Sequence, residues 1–197
     1  IYAERLQVLN GENMRDVIMK MLNDIVEGAV DMSIGDEQSA DKWNFKELNE
    51  LILPIIPLKP LELNDEIRHM KKDELKHALK EKATKFYEAK EAEFPDAEQI
   101  REIERVVLLK VIDNKWMSHI DDMDQLRQGI GLQAYGQRDP LVEYKMSGYE
   151  MFEDMSSAIR EDTVRILCHI RVEQKIEREA AARVTGTNRD NTAARTP

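Results

Sequence analysis

The chain has 197 residues with 29 Lys plus Arg against 39 Asp plus Glu, a formal net charge of −10; this length can bury a core without staples, and the acidic excess argues against a nucleic-acid partner, whose phosphates demand a basic footprint. The single cysteine, Cys168, excludes an intrachain disulfide and points to a reducing compartment such as the cytoplasm. The longest apolar run, residues 51–58, is broken by Pro54 and Pro57 and falls far short of the roughly 20 residues a membrane span requires.

Glycine and proline are few and clustered, and helix-forming residues dominate between them, so an all-α fold is expected. Residues 1–10 read as the end of a longer helix with no leader pattern, and the chain is expected to be a piece of a larger protein. Asn10 and Gly11 interrupt that helix. A second helix follows with Met14, Val17, Ile18, Met21, Leu22, Ile25 and Ala29 at three- and four-residue steps, which marks one core-facing side. From Gly35 to about Met70 the pattern weakens into a short helix carrying Trp43, Phe45, Leu48 and Ile52, then an extended stretch forced by Pro54, Pro57 and Pro60. This region reads as a small appendage. Residues 73–94 carry Leu75, Leu79, Phe86 and Tyr87 among lysines and glutamates, which predicts an exposed helix laced with i,i+4 ion pairs.

Asp96 is placed to cap a long helix running to about Leu132. Its expected apolar stripe is Ile100, Ile103, Val107, Ile112, Trp116, Ile120, Met123, Leu126 and Ile130. Val106, Leu108, Leu109 and Val111 make the middle apolar nearly all round, so it is expected to be surrounded, with Trp116 packed in the core. A short connector, residues 132–138, leads to Asp139 and Pro140, an N-cap followed by an N1 proline. The return helix offers Leu141, Tyr144, Tyr149, Phe152, Met155, Ile159, Val164, Leu167 and Ile170, so a long antiparallel hairpin is predicted. Apolar residues nearly vanish after Ile176, and the end of the chain reads as disordered.

No catalytic site emerges. Cys168 lies among Ile166, Leu167 and Ile170 and reads as a buried thiol. Ser118, His119 and Asp121 diverge around a helix and cannot form a relay. The spacings Glu66 to His69 and Glu74 to His77 would suit di-iron ligation, but that chemistry needs them on two facing helices, and no metal site is expected. The phosphate-binding pattern G-x-x-x-x-G-K-[ST] is absent, so this chain alone is not expected to bind or hydrolyse ATP.

The run Ile112-Asp113-Asn114-Lys115-Trp116-Met117-Ser118-His119, continued by residues 123–130, by Tyr135-Gly136-Gln137-Arg138-Asp139-Pro140, and by Glu143, Tyr144, Lys145, Gly148 and Phe152, closely resembles the two-helix finger of the SecA family. The start of the chain is similar to the end of that family's scaffold helix. The resemblance implies four parts: 1–34, the end of the helical scaffold; 35–95, the helical wing; 96–176, the two-helix finger; and 177–197, a C-terminal linker. It implies a role in ATP-driven protein translocation, with ATP and Mg held by motor domains outside this stretch and no cofactor within it. The implied partners are a preprotein, the SecYEG channel and the motor domains, with localisation in the bacterial cytoplasm and peripherally on the cytoplasmic face of the cell membrane. Tyr135 takes the place of the finger loop's bulky contact residue, flanked by Leu132, Gln133, Gly136 and Arg138. An aromatic ring suits sequence-independent grip, and Gly131 and Gly136 permit close approach of the backbone. The family usually has arginine where this chain has Gln133, which removes a charge from the loop, while Arg138 keeps one. Arg127 and Asp124 are placed either to signal to the motor domains or to form a simple surface pair. A free-standing helical adaptor is the competing reading.

Overall fold

The computed structural model describes residues 2–35, 40–133 and 139–171. The expected linker 177–197 lies outside these residues, as do the finger-loop residues 134–138. The described chain is all-α: α1 (Tyr2–Leu9), α2 (Arg15–Ser33), a 3-10 turn (Ala40–Lys42), α3 (Phe45–Ile52), α4 (Asp65–Arg68), α5 (Lys72–Glu91), α6 (Ala97–Gln133) and α7 (Pro140–His169).

The helix boundaries follow local chemistry. Gly11 takes a φ of 74° between α1 and α2, a left-handed conformation that glycine adopts without a Cβ clash. The side-chain oxygens of Asn44 and Asn64 accept from the N–H groups of Glu47 and Ile67 at 3.1 and 2.7 Å, opening α3 and α4. Asp96 Oδ1 accepts from the Glu98 N–H at 3.0 Å at the start of α6, and Asp139 Oδ1 accepts from the Leu141 N–H at 2.9 Å beside Pro140 at the start of α7. The proline-rich stretch after α3 cannot pair as a strand. It is held instead by Asn49, whose amide donates to the Leu61 carbonyl and accepts from the Leu61 N–H, both at 2.8 Å.

Helix α2 is the hub, contacted by α3, α5, α6 and α7. It buries Ile18, Met21, Leu22, Val26, Ala29 and Val30. Val17 and Ile25, expected on the same face, are only partly buried. Residues 40–70 are more than an appendage, since Trp43, Leu48, Ile52, Ile55, Ile56, Leu61 and Ile67 join the same core as Leu22, Leu108 and Ile159. Helix α5 also departs from its expected character. It buries Leu75, Leu79, Ala83 and Tyr87 at four-residue steps, and several of its lysines reach across to α2. Lys72 and Lys76 meet Asp31 at 2.9 and 2.8 Å, Lys80 meets Glu27 at 2.6 Å, and Glu91 meets Arg15 at 3.0 Å. Partners descend on α5 as they rise on α2, which fixes an antiparallel register.

Candidate functional site: the helical hairpin

Helix α6 has 37 residues, a rod of about 55 Å at ~1.5 Å per residue. It lies along α7 for much of its length, the most extensive helix pair in the structure. Its first half enters the core through Leu108, Val111 and Ile112, with Ile100 buried nearer the corner with α5. The stripe read from sequence is turned by about one residue, since Ile103 and Val107 are only partly buried.

The second half is not surrounded. Trp116, Met117 and Ile120 are 41%, 59% and 53% exposed, and in the first half Val106 is already 54% exposed. Trp116 is therefore not a core residue; its ring lies 5.9 Å from His119, which meets the edge of Phe152 at 6.0 Å across the hairpin. On α7 the buried residues are Met155, Ile159, Thr163, Val164, Leu167 and Cys168, whereas Leu141, Val142, Met146, Tyr149 and Phe152 are exposed. Periodicity reported an apolar face correctly but could not say whether this stretch of chain covers it. The helices still meet closely here. A Cβ added at Gly148 would come within 3.0 Å of the Met123 methyl, so glycine lets Met123 lie against the α7 backbone.

Tyr135, Gly136 and Arg138 lie outside the described residues. Leu132 and Gln133 occupy the last turn of α6, with side chains outside the description. Gln133 and Asp139 are the nearest fixed points on either side of the loop. Arg127 Nη2 meets Asp124 Oδ1 at 2.7 Å on the open surface of α6, a geometry worth little by itself. Lower on the rod, Lys115 bridges to Asp162 of α7 at 2.6 Å, and Arg165 meets the same carboxylate at 2.5 Å.

Neither E-x-x-H spacing gathers a metal set: Glu74 accepts from the Lys71 N–H at 2.7 Å, His77 points to solvent, and no group of three ligand-type side chains occurs among the described residues. Cys168 is buried, and burial pushes its thiol up to about 12, which leaves it protonated and unreactive at neutral pH.

The base of the hairpin holds a polar cluster that the sequence reading missed. Glu104 is fully buried, accepts from the Tyr87 hydroxyl at 2.6 Å, and takes both Arg101 Nη1 contacts at 2.8 Å. Glu91 is shared by Arg15 and Arg101. Burial raises the Glu104 carboxyl above its ordinary range despite the Tyr87 and Arg101 hydrogen bonds. Burial also acts to raise Glu91, but hydrogen bonds from Arg15 and Arg101 outweigh it and hold that carboxyl low. A signal was available: Glu104 stands four residues after Ile100 and four before Leu108, a charge on the core-facing side.

These shifts set opposite pH dependences. Glu104 takes its proton earlier in the folded chain, so folding gains stability as pH falls toward the ordinary carboxyl value of 4.5. Glu91, Glu27 and Asp31 are held low, Glu91 as described and the other two chiefly by lysine hydrogen bonds, and their contribution is lost as pH falls further. Replacing Glu104 with glutamine keeps an acceptor for Tyr87. In thermal melts from neutral pH down to about 5 it is expected to remove the upward component of the wild-type profile; superimposable profiles would contradict this.

Comparison with known proteins agrees with this geometry. A family model described as the SecA wing and scaffold domain matches residues 1–171. The protein translocase subunit SecA of Lachnoclostridium phytofermentans is 66% identical over 198 residues, covering 100% of this chain and 23% of the relative. Those of Finegoldia magna and Clostridium novyi are 45% and 43% identical, over 94% and 95% of this chain and 20% and 22% of theirs. The chain thus spans under a quarter of the length of these relatives. With the family model matched along nearly the whole chain, the chain belongs to the SecA wing and scaffold family.

Proposed function

We propose that this chain is the scaffold, wing and finger portion of an ATP-driven protein translocase, and that it contacts the preprotein and the SecY channel through the loop between α6 and α7. The observation that carries the reading is the long paired hairpin, rooted in the α2 core at one end and bearing a Tyr-Gly loop at the other. A rod of this kind transmits displacement along its length, and an aromatic at its tip supplies contact area without demanding a particular sequence. In this reading Tyr135 makes the main contact, with Leu132, Gln133, Gly136 and Arg138 around it. Asp124 and Arg127 sit where a neighbouring motor domain could read the finger's position.

ATP and Mg belong to motor domains outside this chain, and the work is done on the cytoplasmic face of the bacterial membrane by a protein that associates with it peripherally. None of the described helices is long and apolar enough to cross a membrane. The exposed apolar residues of α6 and α7 are covered in the full protein by its other parts, since such a face is costly in water. A free-standing adaptor fits less well, because the whole chain aligns inside a translocase subunit. The test is a full-length protein carrying Tyr135→Ala: transport falls while basal ATP hydrolysis persists. Unchanged transport overturns the reading.

A further inference from the structure

Where α5 turns into α6, side chains from three helices close on one another. Arg15 of α2 donates to Glu91 of α5 at 3.0 Å through Nε and at 3.2 Å through Nη2, and reaches Glu88 at 3.4 Å. Arg101 of α6 donates to the same Glu91 and to both oxygens of Glu104, and Tyr87 of α5 donates to Glu104 from the other side. The Glu91 and Arg101 side chains are 14% and 13% exposed and that of Glu104 is 0% exposed. Two arginines balance Glu91 and Glu104, so the buried set is neutral.

Direct packing between α5 and α6 is sparse. The buried face of α5 rests on α2, and the main partner of α6 is α7. Phe94 and Ile100 at the corner are buried but stand apart from the main core. Apolar faces can slide with little penalty, whereas charge-assisted hydrogen bonds fix distance and direction. Buried polar sets of this kind can specify an arrangement more than they stabilise it.

We propose that Arg15, Glu91, Arg101, Glu104 and Tyr87 form a clasp that fixes the corner where α5 turns into α6, opens as a unit, and has Glu91 as its pin. The clasp stands independently of the translocation reading. Opening it frees the corner, residues 88–104, while the core built on α2 and α7 stays folded.

Hydrogen exchange on the 197-residue chain tests this. Glu91→Gln is expected to raise exchange of amides in residues 88–104 by roughly tenfold, with residues 18–30 and 159–168 unchanged. Tyr87→Phe, which removes only the phenol hydroxyl, is expected to give the same pattern at about threefold. Exchange that stays at the wild-type level at the corner overturns the clasp. So does a rise spread evenly through the core, or loss of the fold in either variant, since the network would then be inseparable from the core.

Discussion

Tyr135→Ala in the full-length protein is expected to reduce preprotein transport by roughly 30-fold, the effect of losing an aromatic contact of about 2 kcal/mol, while basal ATP hydrolysis is retained. The separation follows from distance. The loop joins Gln133 to Asp139 at the far end of a rod of about 55 Å, and the part of the hairpin rooted in the core is Leu108, Val111 and Ile112 with Met155, Ile159 and Val164. A substitution at the tip leaves that root intact. Tyr135→Phe keeps the ring and is expected to keep most of the transport, because grip on varied sequences rests on area and π-face more than on the hydroxyl. Transport into inverted membrane vesicles, measured beside phosphate release, separates the two activities.

Leu22→Ala is expected to cost about 2–5 kcal/mol of folding stability, read as a lowered urea midpoint. Leu22 is fully buried on α2, the helix that α3, α5, α6 and α7 all contact, so the cavity would lie at the hub of these helices and could not be closed by one helix moving. Ile120→Ala, on the exposed face of α6, is expected to change stability by about 0.5 kcal/mol or less in this chain. Equal losses at the two positions would contradict the division between a packed root and an open shaft.

Much of this architecture was legible in the residues. Asp96, Asp139 and Pro140 marked helix starts because capping is local chemistry, and the structure places α6 and α7 at those residues. The short connector between two apolar periodic stretches implied an antiparallel pair. What failed was the environment of each face. Trp116 carries the same periodicity whether buried or exposed, and its 41% exposure depends on what lies beside the hairpin. The lysines of α5 likewise satisfy an i,i+4 pattern, yet Lys72, Lys76 and Lys80 pair with α2, since ion-pair choice is a tertiary matter. Glu104 was passed over because a lone glutamate in a charged helix resembles its solvated neighbours, and only its step from Ile100 to Leu108 distinguishes it. The finger loop itself, Tyr135 included, rests on the resemblance of its residues and on membership of the family.

The most direct test of the hairpin as a contact device is a photoreactive benzoylphenylalanine placed at position 135, an aromatic that preserves the ring, compared with the same group at exposed position 110, in the rooted part of α6. During ATP-driven transport of a radiolabelled preprotein, illumination is expected to yield preprotein adducts from 135 and essentially none from 110. Adducts absent from 135 while transport proceeds, or equally abundant from both positions, would contradict a contacting tip.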